Sequence, residues 1–328
     1  MALGERERVE AAGAVLREAG FAVSQSCHSR ASCFDFAARR NRDLLFVKVL
    51  LDLGSFSPSD SYDLRTVSES FSAASLVVAE ETHERTLEED TVYTRNGVRA
   101  VSPRTFENSL LRNTPPLVQA SPGGYYVEID GEALKRRMQE LGLSAGDVAE
   151  LAGTSRRTIY GYERGMAKAS VTAAYNLICN LGVPVARPID LLEKTTAQHR
   201  MCYVFITAKR VFARNRFVRR ICKKFSRHHI TTVKSAPFDF VIDVPEDRSR
   251  IVGAVTDDRE PELEARVDEI LSVSEITLAY PVLITNRHHV PDRNITCMSN
   301  AEIAKISDAK ELVRSIRRAL SDGRRSRP

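Results

Sequence analysis

The amino-acid sequence predicts a multidomain α+β protein in which a central all-α bundle lies between two α/β domains. Prolines are concentrated at residues 113–124 and again at residues 183–188, and such stretches typically connect domains. The blocks outside these stretches share one order of helical and strand patterns, whereas the block between them has helical periodicity throughout. A chain of 328 residues is long enough for two or three domains of ordinary size.

These composition changes also give approximate boundaries for each part of the chain. The prediction is an α/β domain at residues 1–112, a linker at 113–130, the central bundle at 131–185, a second linker at 186–200, a second α/β domain at 201–322 and a basic tail at 323–328.

Overall composition excludes several classes of protein. Hydrophobic residues make up 43% and charged residues 28%, which is typical of globular proteins, and the net charge of +5 is compatible with a nucleic-acid partner. No apolar run reaches the roughly 18 residues of a membrane span, and the N-terminus lacks a signal-peptide pattern. The six cysteines contain no C-x-x-C pair. We therefore expect a cytoplasmic protein without a metal, a cofactor or a membrane contact.

The first block begins with a helical pattern and continues with strands. Residues Glu7 to Glu18 have helical spacing, and the sequence Cys33-Phe-Asp-Phe36 precedes the apolar run from Leu44 to Leu51. A further apolar strand is predicted from Ser75 to Ala79. This order of elements is typical of an α/β domain.

In the central block, two short helices are predicted first. Leu134, Met138 and Leu141 recur at helical spacing, and Gly142 follows as a helix end. Ser144 is a candidate N-cap for a second helix, with Asp147 three residues later, and Gly153 follows that helix at a tight turn.

Two more helices complete the central bundle. Ser155 is the candidate N-cap of a third helix over Arg156–Arg164, which Gly165 ends. The fourth helix carries its apolar residues at i, i+3, i+4 and i+7, at Ala174, Leu177, Ile178 and Leu181.

The last block repeats the order of the first. Helical spacing from Val211 to Phe225 is followed by Pro237-Phe-Asp-Phe240, and apolar strands are predicted over Ile251–Val255 and Pro281–Thr285. We therefore interpret the outer blocks as two copies of one α/β domain.

The run from Leu143 to Gly165 resembles the Cro/C1-type helix-turn-helix, because its caps, glycines and apolar positions follow that family's pattern over more than twenty residues. The resemblance implies that the third helix is a recognition helix for double-stranded DNA. The residues that it assigns to DNA contact are Ser155, Arg156, Arg157, Thr158, Tyr160, Gly161 and Arg164, and those that it assigns to the helix-turn-helix core and turn are Val148, Ala149, Gly153 and Ile159.

Within that set, the family's base-contacting positions fall on Arg156, Arg157, Tyr160 and Gly161, and Arg side chains can bind guanine through two hydrogen bonds. The alternative interpretation is a helical bundle with a solvated basic face. The chain also departs from the family pattern: Ala145 stands where many members have a glutamine, Met138 where many have an arginine, and Gly146 disfavours the second helix.

The motif Phe34-Asp35-Phe36, followed by Phe46-Val47-Lys48, is similar to the PD-(D/E)xK nuclease fold, and Glu10 matches an extra acidic ligand of some members. However, Phe46 replaces the second metal-binding carboxylate, and in the last block only Asp239 remains of the motif. We therefore expect two restriction-endonuclease-like domains without a catalytic or metal site. Alternatively, Asp35 and Lys48 form a structural ion pair or lie at a solvated strand edge.

A basic segment from Lys209 to Arg227 contains nine Lys or Arg residues and no acid, above an apolar stripe of helical spacing. It predicts secondary phosphate contacts through Arg216, Arg219, Arg220 and Lys223; the alternative is a solubilising surface.

The complete architecture resembles a group of archaeal helix-turn-helix transcriptional regulators. The resemblance implies a sequence-specific regulator that is not an enzyme and that binds a palindromic DNA site as a homodimer. The alternatives are a structure-selective DNA nuclease of the Holliday-junction-resolvase kind and a DNA-binding antitoxin.

Overall fold

The computed structural model describes residues 3–83, 85–194, 221, 225, 229–256, 260, 262–285 and 295–325. The helices are α1 Leu3–Glu18, α2 Pro58–Phe71, α3 Pro103–Leu111, α4 Gly131–Leu141, α5 Ala145–Ala152, α6 Arg156–Glu163, α7 Val171–Leu181, α8 Leu263–Thr277, α9 Asn300–Lys305 and α10 Ala309–Arg325.

The strands of the first half are β1 Ala22–Val23, β2 Phe36–Arg40, β3 Asp43–Asp52, β4 Ala74–Thr82, β5 Arg85–Thr86, β6 Thr91–Arg95 and β7 Val98–Val101. Those that follow are β8 Val118–Ser121, β9 Gly124–Val127, β10 Ala169–Ser170, β11 His229–Thr232, β12 Phe240–Val244, β13 Ser249–Val255, β14 Tyr280–Ile284 and β15 Thr296–Met298. No helix within the described ranges has the length and apolar character needed to cross a bilayer.

The chain divides into two compact units. The first contains residues 1–49, 56–75 and 192–328, and the second contains residues 50–55 and 76–191. Residues 76–112, which the sequence assigns to the first α/β domain, therefore belong to the same unit as the helical bundle. Parallel pairing of β6 with β8 accounts for this, since it joins residues before the predicted linker to residues within it.

Both outer blocks form the predicted strands, although most of β4, which corresponds to the predicted strand from Ser75 to Ala79, belongs to the second unit. In the first block, β2 pairs antiparallel with β1 and with β3, and Phe36 lies opposite Val47. In the last block, β11, β12 and β13 are antiparallel, Phe240 lies opposite Gly253, and β14 and β15 continue the sheet in parallel.

The two blocks also share the geometry around the aspartate of each Phe-Asp-Phe motif. The Asp35 N–H donates to the Val47 carbonyl at 2.7 Å, and the Asp239 N–H donates to the Gly253 carbonyl at 2.9 Å. The carboxylate then accepts the N–H of Val49 at 2.6 Å in the first block, and that of Val255 at 2.7 Å in the last. The internal repeat in the sequence thus corresponds to a repeat in hydrogen bonding.

Within the first unit the two blocks contact each other in a reciprocal way. Asp63 on α2 accepts the N–H of Ser235 in the last block at 3.0 Å. Glu269 on α8 accepts the N–H groups of His28 and Ser29 in the first block at 2.7 Å each. In each direction, a buried carboxylate of one block therefore accepts backbone N–H groups of the loop that precedes the Phe-Asp-Phe motif of the other block.

The apolar core of the last block includes two residues of its predicted first helix. Ile221 and Phe225 are buried together with residues of β12, β13, β14 and α10. The rest of the predicted helix from Val211 lies outside the described residues.

The second unit contains a hairpin where the sequence indicates only a linker. Strands β8 and β9 lie inside residues 113–130, and the turn between them has positive φ at Gly123 and Gly124, at 97° and 141°. Val127 of β9 is buried in the core of the helical bundle. The proline and glycines of this segment form the turn of a hairpin, which is why its composition imitates that of a linker.

The basic tail also differs from its prediction, because α10 continues to Arg325 and thus includes residues 323–325. Residues 326–328 lie outside the described part of the chain.

Candidate nucleic-acid interface

Local hydrogen bonds define both helices of the predicted helix-turn-helix. Ser144 and Asp147 form a reciprocal capping box at the start of α5, in which the Asp147 carboxylate accepts the Ser144 N–H at 2.8 Å. Gly153 ends α5 in the left-handed region with φ of 65°. The Ser155 hydroxyl then accepts the Thr158 N–H at 3.1 Å and begins α6. These caps fix the turn between the two helices.

A continuous apolar core holds α6 in place. Val148 and Ala149 of α5 and Ile159 of α6 are buried in it, as are Met138 and Tyr162. Burial of Met138 accounts for the absence of an arginine there, since a charge at this position would be removed from water.

Close backbone approach at the other end of α6 requires a glycine. A Cβ atom built on Gly131, the first residue of α4, would lie 2.3 Å from the carbonyl oxygen of Glu163 and 2.7 Å from that of Tyr162. Only a residue without a side chain allows α4 to begin against the end of α6 at this distance.

The predicted DNA-contacting residues lie together on the outer side of α6 and at its ends. Ser155, Arg156, Arg157 and Arg164 are exposed, and Tyr160 is 49% exposed. Thr158 and Gly161 are half-buried, and a Cβ at position 161 would lie 3.0 Å from that of Ala167. Arg164 occupies the C-cap position, one residue beyond the end of the helix.

One of the two arginines has a defined position against the neighbouring helix. A Cβ built on Gly146 of α5 would lie 2.8 Å from Nε of Arg156, so the guanidinium lies directly on the backbone of α5. The pKa of the Asp147 carboxyl is held below its ordinary value, mainly by the hydrogen bond from the Ser144 hydroxyl and in smaller part by the charge of Arg156.

The β8–β9 hairpin contacts a further basic residue of the bundle, Lys168, which the sequence pattern does not indicate. Lys168, which precedes β10, donates a hydrogen bond to the side chain of Gln119 on β8. The Pro122-Gly123 dipeptide between two runs of β-favouring residues is the signal that could have identified this hairpin.

The candidate nuclease residues form a different kind of arrangement. In the first block, Nζ of Lys48 lies 2.9 Å from Oδ1 of the buried Asp35, and the other oxygen accepts the Val49 N–H. Burial raises the pKa of the Asp35 carboxyl, and the charge of Lys48 opposes that effect. Phe46 is fully buried and packs edge-on against Phe34, with ring centroids 5.0 Å apart. Asp35 and Lys48 therefore form an ion pair beside an aromatic cluster.

The corresponding carboxylate of the last block, Asp239, forms ion pairs with two arginines. Arg30 of the first block lies 3.0 Å from Oδ1 of Asp239, and Arg266 of α8 lies 2.9 Å from its Oδ2. Arg266 is only 2% exposed and also forms an ion pair with Glu260 at 2.8 Å. Cations occupy the positions from which a metal ion would approach this carboxylate. Among the residues that the structure describes, no three His, Cys, Asp or Glu side chains are grouped as metal ligands.

The predicted secondary phosphate contacts at Arg216, Arg219, Arg220 and Lys223 lie outside the described residues. They remain predictions from the sequence.

Two family models match the chain. One, described as "PD-(D/E)XK superfamily domain", matches residues 5–116, and the other, described as "Helix-turn-helix", matches residues 134–187.

Several curated relatives carry the name "Putative HTH-type transcriptional regulatory protein". The relative from Methanocaldococcus jannaschii is 30% identical over 314 residues, which are 94% of this chain and 95% of the relative. That from Methanosarcina barkeri is 28% identical over 92% of this chain and 93% of the relative. The relative from Methanocella arvoryzae is 40% identical, but the alignment spans 55% of each chain. A chain of a solved "SinR protein/SinI protein complex" aligns with 26% of this chain at 20% identity and a TM-score of 0.17, too low to support an argument.

Proposed function

The chain belongs to the family of archaeal HTH-type transcriptional regulatory proteins, and we propose that it regulates transcription by reading a specific DNA sequence with α6 in the major groove. The observation that carries this proposal is the exposed arginine pair, Arg156 and Arg157, in the first turn of a capped helix that a buried core holds rigidly. A helix of this kind places its N-terminal residues against base edges.

Each of the predicted DNA-contacting residues of α6 and its two ends has a proposed role. Arg156, Arg157 and Tyr160 contact base edges, since their side chains lie on the solvent side of consecutive turns. The hydroxyl groups of Ser155 and Thr158 lie 2.8 Å apart, so one donates to the other and the second donates to a phosphate. Hydroxyl groups at a helix start commonly position a protein on the DNA backbone. Gly161 permits close approach of the helix, and Arg164 adds a phosphate contact at its far end.

We also propose that the protein binds DNA as a homodimer. One recognition helix reads about half of a regulatory site, so two copies on a palindrome would bind half-sites about one helical turn apart. The domain organisation that goes with this proposal is a Cro/C1-type bundle flanked by two restriction-endonuclease-like domains. The matching hydrogen bonds of Asp35 and Asp239 support the proposal that the two outer domains have the same fold.

The outer domains act as scaffolds without nuclease activity in this proposal. Asp35 and Asp239 are engaged by Lys48, Arg30 and Arg266, and Phe46 occupies the place of a second carboxylate. A single neutralised carboxylate binds Mg²⁺ poorly, because Mg²⁺ requires several oxygen ligands in octahedral geometry.

The test begins with selection of the preferred sequence from random double-stranded DNA by the full-length protein. Binding to that sequence is then measured by fluorescence anisotropy for the wild type, Arg156→Ala, Arg157→Ala and the control Arg112→Ala, an exposed arginine at the end of α3, outside the helical bundle. Loss of one base-specific arginine should weaken binding about 5- to 150-fold and reduce base preference at one position of each half-site. Unchanged binding by both α6 variants would refute the proposed interface.

A second assay addresses the nuclease alternative. Purified protein is incubated with branched and linear DNA in the presence of Mg²⁺. Cleavage by the wild type that Asp35→Ala abolishes would overturn the scaffold interpretation.

A further inference from the structure

Gly146 occupies an unfavourable place for a glycine. It is the second residue of α5, a helix of eight residues, and glycine is among the residues least favourable to a helix. Its backbone adopts the ordinary right-handed conformation, so no positive φ explains the choice. The reason must therefore lie in what the missing side chain leaves room for.

The space above Gly146 is filled by the guanidinium of Arg156. A Cβ atom at position 146 would lie 2.8 Å from Nε, 3.0 Å from Nη2 and 3.1 Å from Cζ of that group. These distances place the guanidinium over the backbone of α5, with its Nε and Nη2 atoms nearest to position 146. Alanine at position 146 would displace this group, while the helix itself could accept the methyl, because the obstructing atoms belong to the end of a flexible side chain.

Holding an arginine in place before it binds has a consequence for affinity. A long side chain that becomes ordered only on binding loses conformational freedom. This loss weakens binding by an amount equivalent to about a 2- to 12-fold increase in Kd. Arg156 is exposed to solvent, and the contact of its guanidinium with α5 at Gly146 is the feature that could restrict it before DNA binds. Ala145, the first residue of α5, is also small, so no long side chain from positions 145 and 146 competes with Arg156 for this space.

We propose that Gly146 is a positioning residue for DNA recognition, which fixes the guanidinium of Arg156 between α5 and α6 in the orientation that contacts DNA. This inference rests on the proposed function, since it assumes that Arg156 contacts DNA. Gly146 therefore contributes to affinity without touching DNA through a side chain, and replacing it with a residue that favours helix weakens binding.

A double-mutant cycle tests the inference directly. Full-length wild type, Gly146→Ala, Arg156→Ala and the double variant are titrated against the selected DNA sequence, and melting temperatures are measured for all four. Gly146→Ala should weaken binding about three- to tenfold, with a melting temperature equal to or above that of the wild type. In the Arg156→Ala background, the same change at position 146 should alter Kd by less than about twofold.

Each other outcome identifies what fails. Equal weakening by Gly146→Ala in both backgrounds would overturn the inference, because the glycine would then act independently of Arg156. Wild-type binding by Gly146→Ala, or a lowered melting temperature that accounts for its loss of binding, would also overturn it. If Arg156→Ala binds normally while Arg157→Ala does not, the inference fails but the proposed function survives. If both arginine variants bind normally, the proposed function fails.

Discussion

Substitution of Glu269 tests whether the hydrogen bonds between the outer blocks stabilise the first unit. Its side chain is 3% exposed on α8, and its carboxylate accepts three hydrogen bonds from the first block: the N–H groups of His28 and Ser29, and the Ser29 hydroxyl. Substitution Glu269→Ala removes the acceptor for all three donors. We expect the free energy of unfolding of the first unit to fall.

The expected size follows from the individual bonds. A hydrogen bond to a charged group contributes about 1.5–3 kcal/mol, and the two N–H groups lie at a short 2.7 Å from Oε1. Since His28 is exposed and Ser29 half-buried, water can replace part of what is lost. At the lower end of that range, two to three bonds give about 3–4.5 kcal/mol. For Glu269→Gln, which keeps a neutral acceptor of the same shape, about 1–2 kcal/mol is expected.

Urea unfolding of the full-length protein, followed by circular dichroism, measures these differences. Glu275→Ala is the matched control, because Glu275 lies on the exposed side of the same helix and should change stability by no more than about 0.5 kcal/mol. Asp63→Asn, which keeps an oxygen acceptor for the N–H of Ser235 but removes its charge, should cost less than Glu269→Ala. If Glu269→Ala unfolds at the same urea concentration as Glu275→Ala, the reciprocal contacts contribute nothing and the reasoning is wrong.

Three further predictions address single contacts. Gly131→Ala should destabilise the helical bundle and abolish DNA binding, because its Cβ would lie 2.3 Å from the carbonyl oxygen of Glu163, and a lowered melting temperature in thermal unfolding would show it. Arg266→Ala should cost about 3 kcal/mol in urea unfolding, because the half-buried Glu260 loses its cation and Asp239 keeps only Arg30; unchanged stability of Arg266→Lys would contradict a role for the guanidinium that contacts both carboxylates. Because the folded pKa of Asp147 lies below its ordinary value of 3.8, its contribution to stability is present above that value and is lost as the pH falls through the folded pKa. Asp147→Asn should therefore reduce the dependence of the melting temperature on pH below 3.8, and an unchanged dependence would show that the capping box is not its source.

The caps and periodicity of the helix-turn-helix could be predicted closely from the sequence. Ser144, Gly153 and Ser155 each act within three or four residues of their own position, and such local signals are visible in a linear sequence. Helices α4 and α5 end at the predicted Gly142 and Gly153, and α6 begins after Ser155. Arg164 forms the cap of α6 instead of its last residue, and α7 begins at Val171, before the first apolar position named in the prediction. The loss of a second metal ligand at Phe46 was equally visible, because it depends only on residue type.

The hairpin of β8 and β9 could not be distinguished from a linker by its residue types. Proline and glycine occur in tight turns as well as in linkers, and the strands on either side are only four residues long. Burial of Val127 in the bundle distinguishes the two interpretations, and that burial depends on where the chain folds back.

The sequence by itself determined which residue types stand at the start of α6 and which are missing from the nuclease motif, since both follow from short-range pattern and side-chain chemistry. Only the tertiary structure decided what those residues contact. Arg30 reaches an aspartate 209 positions away, and Glu269 binds backbone groups 240 positions before it. The space beside Gly146 depends likewise on how two helices meet. Such partners are chosen by the packing of distant segments, because a side chain's neighbours in a folded protein are set by three-dimensional proximity, on which the local sequence places little constraint.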